Sequence, residues 1–99
     1  MAAIFDEIEW DAGNREKCRK HGVSINEIEH ALRTDPLIAD DPSHSMHEPR
    51  FRAIGQNDAG RSIFVVFTVR RRGDRFLARP ISARYMHAKE VRTYEQDDA

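Results

Sequence analysis

Ile63-Phe64-Val65-Val66-Phe67, inside the stretch 61–70, decides the fold of this chain. All five side chains are β-branched or aromatic, types that suit a pleated, packed surface. A run that is apolar on both faces reads as a central strand rather than an edge. Upstream, Asn57-Asp58-Ala59-Gly60 is a turn, and 50–56 before it alternates as a strand does. Downstream, Arg71-Arg72-Gly73-Asp74 is a second turn. It leads to a strand over 75–83, in which Pro80 marks an edge or a bulge. A short strand over 37–40 comes before the polar segment 41–48. Consecutive strands joined by short turns pair antiparallel, so the expectation is a four-stranded antiparallel sheet.

Helices flank this sheet in sequence. Asp11 is placed to cap a helix over 12–20, which Gly22 stops, with Lys20 and His21 in its last turn. Ser24-x-x-Glu27 reads as a capping box for a second helix over 24–33, with Val23 and Ile28 as its hydrophobic staple. Ile25, Ile28 and Leu32 form its apolar face, and Asp35-Pro36 ends it. His87, Val91 and Tyr94 share one face of a closing helix. The order is α-α-β-β-β-β-α, an α+β chain with its helices segregated from the sheet.

Ninety-nine residues are expected to form a single domain, 1–99, with one modest core. Mean hydropathy is −0.72, and no apolar run approaches the roughly 20 residues of a membrane span. The acidic N-terminus MAAIFDEIEW is unlike a signal peptide. Cys18, the lone cysteine, has no disulfide partner in the chain and reads as a small buried apolar residue. These features point to a reducing, cytoplasmic setting without a membrane.

Charge is distributed unevenly. Residues 1–49 carry eleven carboxylates against five basic residues, a net of −6. Residues 50–92 carry ten arginines and one lysine against three carboxylates, a net of +8. Thirteen of the sixteen basic residues are arginine, whose planar fork fits phosphate and carboxylate. Arg50 and Arg52 project from one face of a strand. Arg79 lies mid-strand and Arg84 at a strand end, where an arginine is costly unless paired. Either an anion site or an ion pair with Glu48, Asp74 or Glu90 accounts for these two. Arg70-Arg71-Arg72 at the turn is either a solvated loop or a phosphate contact.

Lys20-His21-Gly22 is a helix cap or a proton-handling pair, since histidine changes charge near neutral pH. His87 lies within reach of Arg84 and reads equally as packing. Trp10 and Tyr94 read as core. His44-x-x-His47, near Asp40, Asp41 and Glu48, lacks the spacing of a zinc motif, so no metal and no other cofactor is expected. Nucleotide-binding glycine loops and nucleophile elbows are absent from the sequence. The inventory suits RNA cleavage, in which the ribose 2′-OH is an internal nucleophile and the protein positions it and stabilises charge. It suits RNA binding equally.

Trp10-Asp11, Asn14-Arg15-Glu16, Arg19-Lys20-His21-Gly22-Val23, Arg50-Phe51, Ile54-Gly55, Ala59-Gly60-Arg61, Ile81-Ser82-Ala83-Arg84 and the stretch from Glu90 to Tyr94-Glu95 occur in that order. The chain thereby resembles the BrnT family of toxins from bacterial type II toxin–antitoxin pairs, over about 8–95. The resemblance implies a fold similar to RelE-type ribonucleases, RNA cleavage, and neutralisation by a small ribbon-helix-helix antitoxin that binds DNA. It implies catalytic roles for Lys20, His21, Arg50 and Arg84; Arg52, Arg61 and Arg79, from the cationic half itself, are the candidates for RNA contact. A homodimer, or a heterotetramer with the antitoxin, is the expected assembly. An inactive relative serving as an antitoxin-binding co-repressor or nucleic-acid module is the alternative the sequence leaves open.

Overall fold

The computed structural model describes residues 4–41 and 49–98, with side chains through residue 93. The segment with His44 and His47, and the side chain of Tyr94, lie outside what it describes. Its elements are β1 (Glu7–Ile8), α1 (Ala12–Arg19), α2 (Ile25–Arg33), β2 (Leu37–Asp40), β3 (Arg50–Gln56), β4 (Ser62–Arg72), β5 (Arg75–Tyr85) and α3 (Ala88–Asp98). They make a mixed α+β structure with one five-stranded sheet of order β1-β5-β4-β3-β2. β2 to β5 form an antiparallel meander. β4 stands at its centre, as the two-sided apolar run demands. The expectation of four strands is corrected to five. The added strand, β1, pairs parallel with β5 through Glu7↔Leu77 and Ile8↔Ala78. Two residues are too few to show alternation, and their partners lie about seventy positions away.

Both N-terminal helices start at reciprocal caps. Asp11 accepts from the Asn14 N–H while the Asn14 side chain accepts from the Asp11 N–H, and Ser24 and Glu27 exchange the same two bonds. Gly22 (φ 83°) ends the first helical segment in the left-handed region that glycine enters freely. α1 and α2 cover one face of the sheet. Cys18, Val23, Ile28, Ala31 and Leu32 pack there with Ala53, Ile63, Val65, Phe67, Ala78 and Ala83. Phe67 is fully buried, with Phe5 edge-on at 5.9 Å and Phe51 stacked at 5.5 Å. α2 lies so close to β3 that a Cβ on Gly55 would stand 2.3 Å from the Ala31 carbonyl oxygen. Trp10 packs half-buried on this core and donates from Nε1 to Glu29 at 2.8 Å. Burial pushes the Cys18 thiol up to about 11. Among the described residues no helix is long and apolar enough to cross a membrane.

The register of β5 contains one irregularity. Val66 pairs with Ser82 but Phe67 pairs with Pro80, so Ile81 is an extra residue. The bulge expected from Pro80 is therefore present.

Candidate functional site

The bulge has a direct consequence for the arginines. Arg79 and Arg84 are five residues apart, and strict alternation puts such a pair on opposite faces of a strand. The extra residue Ile81 restores them to one face. Across the sheet, Arg50 is level with Thr68 and Arg79, Arg52 with Val66 and Ser82, and Arg84 with Phe64. All four arginines thus project from the face opposite α1 and α2. Arg70 and Arg72 follow on the same face toward the β4–β5 hairpin.

Carboxylates meet most of these cations. Glu9 lies 3.6 Å from Arg70, 3.0 Å from Arg72 and 3.0 Å from Arg79. Arg79 also pairs with Asp11, and Arg75 with Glu7 at 2.9 Å. Arg50 approaches Asp41 at 3.3 Å. Glu90, from α3, grips Arg84 with both oxygens at 3.0 and 2.9 Å, while the Arg84 guanidinium lies 4.9 Å from the Phe64 ring centre. The ion pair read as an alternative for Arg84 is present, with Glu90 as its partner. Glu7, Glu9, Asp11 and Asp41 all come from the acidic half of the sequence. The opposition of charge along the chain is therefore partly cancelled in space.

Titration follows these contacts. The Asn14 backbone N–H holds the Asp11 carboxyl below its usual range, with Arg79 adding to it. Arg84 does the same for Glu90, helped by the His87 backbone N–H. Arg52 differs from its neighbours. Its Nη2 reaches only the Asp40 carbonyl oxygen at 3.4 Å, and its buried Nε has no hydrogen-bond partner among the described residues. At Arg50 and Arg79 the Nε is also without an aligned hydrogen bond, but each lies against a carboxylate as an ion pair.

The remaining sequence candidates lie elsewhere. Lys20 is the C-cap of α1 and His21 follows it in the turn, both exposed. They belong to the helix layer, on the other side of the sheet from Arg50 and Arg84. The structure does not gather the four residues to which the resemblance gives catalytic roles. Arg61 sits in the exposed turn before β4, its guanidinium 4.2 Å from the Tyr85 ring centre. The Tyr85 hydroxyl donates to Glu27 at 2.9 and 3.0 Å, and Asn57 Nδ2 donates to Glu27 at 2.9 Å. With these donors, Asn57 first, the Glu27 carboxyl is held down at about 2. The hydrogen bond to Glu27 in turn raises the Tyr85 phenol. Sequence reading found Glu27 only as a capping residue. Its two other partners are 30 and 58 positions away, and nothing local signals them. The hub role of Glu9 was likewise missed.

Among the described residues no group of histidine, cysteine and carboxylate side chains could hold a metal ion. Residues 10–90 match the family described as "Ribonuclease toxin, BrnT, of type II toxin-antitoxin system". No curated protein matches the chain.

Proposed function

We propose that this chain, which belongs to the BrnT family of ribonuclease toxins of type II toxin–antitoxin systems, cleaves RNA on the arginine-bearing face of its sheet. Membership brings an antitoxin partner and RNA targets. The observation that carries the reading is the bulge at Ile81, which aligns Arg79 and Arg84 with Arg50 and Arg52 on one face. Arg84 is held by Glu90 on one side and by the Phe64 ring on the other. Arg52 has donors to spare.

In this reading the ribose 2′-OH attacks the adjacent phosphorus as its proton passes to water, and the 5′-oxygen leaves, taking a proton from water. The products are a 2′,3′-cyclic phosphate and a 5′-hydroxyl. Arg84, Arg50 and Arg52 stabilise the charge that builds on the phosphoryl oxygens, and Arg79 borders them. No step calls for a metal. Lys20 and His21 contact the RNA where it continues beyond this face. The antitoxin is a ribbon-helix-helix protein whose acidic segment competes for the same arginines. The arrangement of sheet and helices is RelE-like, the chain acts as a single domain, and its setting is the cytoplasm.

A second reading has its own support. Carboxylates of the chain already pair with Arg50, Arg79 and Arg84, as expected of a relative that binds its partners without cleaving. Incubating purified protein with RNA in EDTA separates the two. Cyclic-phosphate ends that vanish when the substrate is 2′-O-methylated support the ribonuclease. Retention of intact RNA supports the binding module. Ends bearing a 5′-phosphate contradict 2′-OH attack.

A further inference from the structure

The pairing of the sheet arginines raises the question of where uncompensated positive charge remains. One group of it stands together on and just after α1. Its cations are Arg15, Lys17, Arg19 and Lys20, all exposed, with the exposed His21 beside them. Among the described residues none of these five side chains makes a hydrogen bond or an ion pair. Glu16 is the only carboxylate among residues 12–21. This patch lies within the half of the sequence whose net charge is negative, and it emerges only because Glu7, Glu9 and Asp11 are turned to the sheet arginines.

The helix that bears the patch is firmly fixed. Its cap is reciprocal, Cys18 is fully buried, and the buried Asn14 donates to the Glu9 carbonyl oxygen at 2.9 Å. The cations thus extend from a rigid rod into water. Each of them is free to release an associated counterion from a polyanion, which is the main source of non-specific affinity for nucleic acid. A protein partner needs apolar anchors at the centre of its contact. Among the described residues the exposed large apolar side chains are Ile4, Leu37 and Phe76, none of them on α1. Charge without apolar anchors fits a phosphate backbone better than an acidic peptide.

We propose that the solvent face of α1, through Arg15, Lys17 and Arg19 beside Lys20, is a phosphate track for single-stranded RNA flanking the cleaved bond. This rests on the chain being an RNA-cleaving member of its family. The track lies on the helix layer, so the RNA passes around the β1 edge of the sheet, beside β5, to reach it. The track supplies affinity and no chemistry.

The probe is a fluorescent 2′-O-methyl RNA, which the proposed chemistry leaves intact, with affinity measured between 50 and 200 mM salt. The comparison is between the wild-type chain and the triple variant Arg15→Gln, Lys17→Gln, Arg19→Gln. Losing three contacts to a single strand lowers the slope of log K against log salt by about 2, and lowers affinity about a hundredfold at 0.1 M. The replaced side chains make no bonds, so the variant still unfolds cooperatively; Lys17 and Arg19 stand in the last turn of α1, where positive charge suits the helix dipole, and their loss lowers the thermal midpoint by only a few degrees. Arg75→Gln, whose charge is met by Glu7, leaves the slope unchanged. An unaltered slope in the triple variant overturns the track while leaving the ribonuclease reading intact. A triple variant that keeps its RNA affinity but loses the antitoxin assigns the surface to that partner and also overturns it. A wild-type chain that neither binds nor cleaves RNA overturns both.

Discussion

Replacing Glu27 by alanine tests how the helix layer is fastened to the sheet. One carboxylate here accepts from the Ser24 N–H at 3.0 Å, from Asn57 Nδ2 at 2.9 Å, and from the Tyr85 hydroxyl at 2.9 and 3.0 Å. It joins the start of α2 to the β3–β4 turn and to the end of β5. Loss of the capping bond costs about 1 kcal/mol. A hydrogen bond to a charged group contributes roughly 1.5–3 kcal/mol when sheltered. Glu27 is only half-buried, so about 1 kcal/mol for each of Asn57 and Tyr85 is the appropriate scale. The total is about 3 kcal/mol, or roughly 12–24 °C in the melting midpoint of a chain this size. Urea unfolding followed by Trp10 fluorescence reads it out. The pH dependence adds a sign. The folded carboxyl, at about 2, lies below its ordinary value of 4.5. Its contribution is therefore fully present above about pH 4.5 and is lost as pH falls toward 2. The gap between wild type and Glu27→Ala should narrow between pH 7 and pH 3. A loss under about 0.5 kcal/mol at pH 7, or a gap that does not change with pH, would refute the hub.

Gly55→Ala drives a methyl group against the Ala31 backbone, which has no flexible end to yield. Overpacking of this kind costs about 1–3 kcal/mol, so an unchanged thermal midpoint would show that α2 does not approach β3 so closely. Cys18 is buried with its thiol pushed up to about 11. A thiol reagent at pH 8 should leave the native protein unmodified and react promptly once urea unfolds it; fast native labelling contradicts the burial of α1. Charge reversal of Arg50 and Arg52 to glutamate should slow association with the antitoxin, and the wild-type on-rate should fall as ionic strength rises. An on-rate indifferent to both places the antitoxin elsewhere.

The parts of the fold carried by local signals were legible. The two-sided run at 63–67 announces the central strand, and Ser24-x-x-Glu27 announces the start of α2. The two residues of β1 carry no periodicity of their own, and their strand character comes entirely from β5. At the site, alternation on β3 correctly aligns Arg50 with Arg52. Arg79 and Arg84 share their face only through an extra residue, whose position a proline hints at without fixing it. Summed charge was the least reliable guide. It measures what is near in sequence, whereas Glu9 meets arginines more than sixty positions away. The motif Lys20-His21 is legible as a motif, but sequence order gives no account of which layer it joins.

The most direct measurement is single-turnover RNA cleavage in EDTA by the wild-type chain, Arg84→Ala and Arg72→Ala, each shown to be folded. Arg84 is the preorganised donor of the proposed site, and Arg72 lies on the same face toward the hairpin, paired with Glu9. Removing a donor to transition-state charge costs roughly a hundred- to a thousandfold in rate. The account predicts that loss in Arg84→Ala and near wild-type cleavage in Arg72→Ala. Equal cleavage by the wild-type chain and Arg84→Ala would contradict it.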